Sequence, residues 1–108
     1  MMSNSRDRER RWTFLTNHAH ALVCIAADPG IRIQDIADRV GITLRAAQDI
    51  VTDLVIAGYI TRTRVGRRNR YDVHPELPFR HPLEQDHQVG ELLEAIGVLP
   101  RRRAGTRS

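Results

Sequence analysis

Five arginines, Arg62, Arg64, Arg67, Arg68 and Arg70, fall within the segment 60–74 against the single acid Asp72. Guanidinium groups so close together repel one another unless a polyanion neutralises them, and each planar fork can pair bidentately with a phosphate or a guanine. Just upstream, Thr43, Leu44, Arg45, Gln48 and Thr52 recur at helical spacing on one side of a segment whose other side is apolar. An arginine can fork onto guanine and a glutamine onto adenine, each with about 1–3 kcal/mol of discrimination. The chemistry on offer is recognition of a polyanion rather than bond making. Arg32 and Gln34, earlier still, are candidate phosphate contacts that position without specifying sequence. Asp49 is the awkward member of the polar stripe: it either reads a cytosine amino group or weakens binding, and both remain open.

These residues need elements to hold them. Apolar positions Phe14, Leu15, Ala19, Leu22, Val23, Ile25 and Ala26 predict a helix from Trp12 to the Asp28-Pro29-Gly30 turn. Ile31-Arg32-Ile33 reads as one short strand. IQDIADRV, 33–40, reads as a second helix stopped by Gly41. Thr43 caps a third helix over about 44–57, with Ala47, Ile50, Val51 and Leu54 inward and Gly58 as its stop. Tyr59 onward alternates as a β-hairpin, with Gly66–Asn69 as the turn, Arg67 and Arg68 at its tip, and Tyr71 and Val73 inward. His74 to Pro78 reads as a linker. Pro82 then opens a final helix to about Ile96, with Leu83, Val89, Leu92, Leu93 and Ile96 along one side.

The fold class is α+β and mostly helical: a winged helix-turn-helix with a small hairpin wing and an added C-terminal helix. Four regions follow: a basic arm over 1–11, a winged helix DNA-binding domain over 12–74, a linker and helix over 75–98, and a basic tail over 99–108. Both terminal regions lack apolar periodicity and read as disordered. The apolar side of the final helix suits dimerisation; packing back on its own chain is the alternative.

The chain's 108 residues hold 17 basic groups, all arginine, and 13 acids. Its charge is segregated: 60–74 is basic, whereas 76–96 sets Arg80 against five acids. One basic end on an otherwise acidic body is the footprint of a protein that presents one face to nucleic acid. No apolar run reaches the ~18 residues of a membrane span. MMSNSRDRERRW lacks the apolar core of a secretory signal, which reads as a cytoplasmic chain.

Catalytic signatures are missing. There is no glycine-rich phosphate loop or nucleophile elbow, and the histidines 18, 20, 74, 81 and 87 do not fall at metal-ligand spacing. No enzyme, metal or cofactor is expected. Cys24, on the apolar side of the first helix, reads as an inert buried thiol.

The run IQDIADRVGITLRAAQDIVTDLVIAGYITRTRVGRRNRY resembles the MarR-like winged helix regulators of bacteria and archaea. The resemblance extends over about 14–74. Ala47, where larger aliphatics are usual, and Asp49 depart from it. It implies a sequence-specific regulator of double-stranded DNA, dimeric and acting as a repressor, with Arg64, Arg67, Arg68 and Arg70 on the wing. A winged helix used as a protein-interaction module for an acidic partner is the alternative. A ligand or redox sensor would need a pocket or reactive thiol that the residues do not reveal.

Overall fold

Thr16 opens the first helix: its backbone is extended and its hydroxyl accepts the amide of Ala19 at 3.2 Å. The structure, a computed structural model, describes residues 12–99. Among them the order is α1 (Asn17–Ala27), α2 (Ile33–Val40), α3 (Leu44–Ile56), β1 (Ile60–Val65), β2 (Arg68–Val73) and α4 (Val89–Ile96). This is the expected winged helix with a C-terminal helix. The expected arm at 1–11 and the tail from 100 onward lie outside the described residues.

Helix α1 starts at Asn17, not at Trp12. A hydroxyl that bonds an amide three residues on is a stronger local signal than the aromatic residues before it. Trp12 and Phe14 stay outside the helix, exposed and stacked edge-to-face at 5.2 Å. The strand expected at Ile31–Ile33 is not formed. Ile31 spends its amide within the turn, donating to Asp28 O at 3.0 Å, and Ile33 is already the first residue of α2. One residue remains between them, too few for a ladder. The nearby edge of β2 makes one backbone bond to this turn, Tyr71 N to Pro29 O at 2.9 Å.

Local signals set the α2–α3 unit. Gly41 sits at φ 85° and its amide donates to Ala37 O, closing α2 in the left-handed conformation that glycine tolerates. Thr43 then caps α3 by accepting the Ala46 amide at 3.0 Å. Ala47, Ile50, Val51 and Leu54 are buried, as their spacing predicts.

The hairpin reverses in two residues, Gly66 and Arg67, because Val65 pairs with Arg68. Gly66 at φ 63° permits that tightness. Arg68 and Asn69, expected in the turn, are therefore strand residues. Directly paired residues share a face of a ribbon. One face carries Ile60, Tyr71 and Val73 near the core and Arg62, Arg64 and Asn69 further out; the other carries Thr61, Thr63, Val65, Arg68, Arg70 and Asp72.

The C-terminal helix starts seven residues later than Pro82 suggests, at Val89. Between Pro82 and Gln88 only Leu83 is apolar, so a helix there would have no face to bury. Instead 74–78 docks on the body and α4 docks on it. His74 N donates to Tyr59 O, Val89 N to Leu77 O and Gly90 N to Pro75 O, each at 2.9 Å, and Tyr59 Oη donates to Pro78 O at 2.6 Å. Gly90 is required there, since a Cβ would lie 2.8 Å from both Pro75 Cβ and Pro75 O. Val89 and Leu93 join the single core formed with α1, α2 and α3. This corrects the expected dimer surface: those two side chains are consumed within their own chain, whereas Leu83 is 85% and Ile96 44% exposed and Leu92 is half-buried.

Candidate nucleic-acid interface

The outward side of α3 carries Leu44, Arg45, Gln48, Asp49 and Thr52, all exposed, while the buried stripe holds the opposite side against the core. Thr43, at the cap, is exposed with them. Capping by one hydroxyl leaves the first amides of α3 without intrahelical partners, which suits them to an anion. Arg45 Nε lies 3.8 Å from Asp49 Oδ1, one turn on. An exposed pair at that spacing is worth about 0.3–0.5 kcal/mol, below the ~1–3 kcal/mol of a bidentate guanine contact, so Asp49 does not hold Arg45 away from a base. Asp53 turns from this stripe to meet His18 of α1, with Nε2 2.8 Å from Oδ2.

The four wing candidates do not occupy one surface. Arg64, with Arg62, is on the face that continues outward from Tyr71; Arg68 and Arg70 are on the other, and Arg67 is in the turn. Arg64 Nε donates to Gly66 O at 3.0 Å, bracing the turn. Arg68 reaches back instead: its Nη2 donates to Gly30 O at 2.5 Å, fixing the wing to the α1–α2 turn. Arg70 and Arg67 remain exposed.

Arg32 is the N-cap of α2 and makes no side-chain cap bond there. With Arg67 and Arg68 it lines an open cleft of about 390 Å³, whose walls include Ile31, Asn69 and Tyr71. Gln34 is outside this cleft, its Nε2 donating to Asp38 Oδ1 at 3.1 Å along its own helix. Asn69 and Tyr71 are not among the contact residues that the sequence suggests. Alternation places Tyr71 in the core, where it is, but does not show that the residue also borders a cleft with three arginines. Arg62 belongs to the five-arginine cluster but not to the four wing candidates, and it shares the Arg64 face.

A second groove of about 180 Å³, lined by Leu22, Leu54, Tyr59, Phe79, Val89 and Leu92, lies between α1, α3 and α4 and is largely apolar. Cys24 is half-buried; desolvation pushes its thiol pKa up, against a smaller opposing effect of Arg39, which disfavours the reactive thiolate. Among the described residues no three His, Cys, Asp or Glu side chains gather as metal ligands. No helix among them is long and apolar enough to cross a membrane.

Compared with models of known families, residues 16–65 match the MarR family, from the cap of α1 to the end of β1. No curated protein matches the chain.

Proposed function

We propose that the chain, whose fold is a winged helix and whose residues 16–65 match the MarR family, is a regulator that binds double-stranded DNA as a dimeric repressor. The observation that carries this reading is the exposed polar stripe of α3, capped by Thr43 and followed directly by a wing with five arginines and one aspartate. Helix α3 enters the major groove by its first turns. Arg45 forks onto guanine, Gln48 onto adenine, and Leu44 offers an apolar contact to a thymine methyl group. Thr43 and Thr52 supply shorter polar contacts at either end of the stripe. Arg64, Arg67 and Arg70 supply the sequence-independent attraction, and Arg68 anchors the ribbon that presents them.

Dimerisation in this reading uses Leu83, Leu92 and Ile96, with Val89 and Leu93 holding α4 in place behind them. Two copies place two reading helices on half-sites about one helical turn apart. Sedimentation velocity on the full chain at micromolar concentration checks this part, and a monomer throughout would reject it. Repression is the simplest consequence of occupying a promoter, and a reporter under the selected site gives its sign.

Fluorescence anisotropy with duplex DNA across a salt series tests the whole. Affinity should fall linearly on log–log axes, with a slope near −0.9 per neutralised phosphate. Arg67→Ala with Arg68→Ala should flatten that slope by about one to two. Arg45→Ala should cost about 1–3 kcal/mol at one base position only. A chain that ignores duplex DNA at low salt is not a regulator of this kind.

A further inference from the structure

Three guanidinium groups, Arg32, Arg67 and Arg68, line one cleft from elements far apart in sequence. No acid shares the lining. Packing like charges into one concavity is unfavourable unless an anion enters it. The start of α2 adds to the positive field, because its first-turn amides have no side-chain cap. Tyr71 also borders the cleft, but its hydroxyl is buried and out of reach of a ligand there, so the arginines and the start of α2 make the site.

We propose that this cleft binds a free phosphate ester, which competes there with the DNA backbone. The competition rests on the DNA reading above; the binding of phosphate does not. A tetrahedral phosphate offers several acceptor oxygens to a site with three forked donors, more than a carboxylate could present. Arg68 is already oriented by its bond to Gly30 O, and a guanidinium has five N–H donors, so others remain for the ligand. The cleft, at about 390 Å³, exceeds one phosphate group and leaves room for the body of an ester against Ile31 and Ile33. An occupied cleft withdraws Arg32 and Arg67 from the DNA phosphates they would otherwise meet. The regulator would then release DNA when the phosphate ester is abundant.

The test uses the full chain and inorganic phosphate as probe. DNA-free protein is titrated by calorimetry, and DNA affinity is measured with phosphate replacing chloride at constant ionic strength. We expect saturable binding at one site and a loss of DNA affinity beyond the chloride control. Arg32→Ala should weaken phosphate binding at least about tenfold. Absence of saturable binding, or unchanged phosphate affinity in Arg32→Ala, overturns the inference. So does equal DNA affinity in the two salts. A chain that binds DNA but not phosphate fails here alone and leaves the DNA reading standing. A chain that binds phosphate through Arg32 but binds no DNA defeats the DNA reading, and the competition falls with it.

Discussion

Helix α3 begins where a threonine hydroxyl accepts an amide and ends before Gly58 at φ 87°; α4 begins where Glu91 Oε2 accepts the Gln88 amide at 2.9 Å and ends at Gly97 at φ 94°. Both are amphipathic and both bury one side in the same core. Their boundaries nevertheless arise differently. For α3, cap, apolar stripe and stop agree within a few residues, and the helix lies where those residues put it. For α4, residues 82–88 offer a helix-compatible start that goes unused, and docking on the 74–78 segment decides the matter. A helix whose place depends on a distant surface should be the weaker of the two against changes at that surface. The helix set by local signals should lose only what each signal contributes.

Truncation of the core should have the largest effect on either helix. Leu93→Ala removes a fully buried side chain of α4 and should cost about 2–5 kcal/mol in urea denaturation, as much as a truncation within α3 would. A cost below about 1 kcal/mol would make α4 an appendage rather than part of the core. Gly90→Ala follows, at about 1–3 kcal/mol, because its methyl group meets the Pro75 backbone at 2.8 Å and α4 must shift. Loss of the α4 amide protection against hydrogen exchange, with α3 protection kept, would show the effect to be confined as expected. For α3 the matching local change is Thr43→Ala, which should cost about 1 kcal/mol and loosen the first turn that carries Leu44 and Arg45. DNA affinity should fall with it more than the stability loss alone explains.

The smallest effect is electrostatic and belongs to α4. His87 Nδ1 lies 2.7 Å from Glu91 Oε1, and both side chains are exposed. The hydrogen bond that Glu91 accepts from the ring, and next the Glu91 charge, raise the His87 pKa above its ordinary 6.5. The Gln88 amide, and next His87, lower the Glu91 pKa below its ordinary 4.5. The histidine contribution is therefore whole below 6.5 and is lost as pH rises through the raised value. The carboxylate contribution is whole above 4.5 and is lost as pH falls through the lowered value. Between about 4.5 and 6.5 both act, and α4 should be held best there. An NMR titration of the His87 ring should give a midpoint above 6.5, and one at or below that value removes the pair from the comparison.

What the sequence determined by itself is the part governed by neighbours. The stop at Gly41, the cap at Thr43, the inward positions of α3 and the inward Tyr71 were all legible, because capping and periodicity act over about four residues. The concentration of arginine on the hairpin was legible too, because it is a matter of counting. Tertiary structure decided the rest. It docked α4 on the 74–78 segment and drew Val89 and Leu93 into their own core. It also brought Arg32 to Arg67 and Arg68, a meeting that no spacing along the chain encodes. The reason is common to all of these. Which surface an apolar side covers, and which charges share a concavity, depend on residues 30 or more positions away, whose energies enter only once the chain has folded.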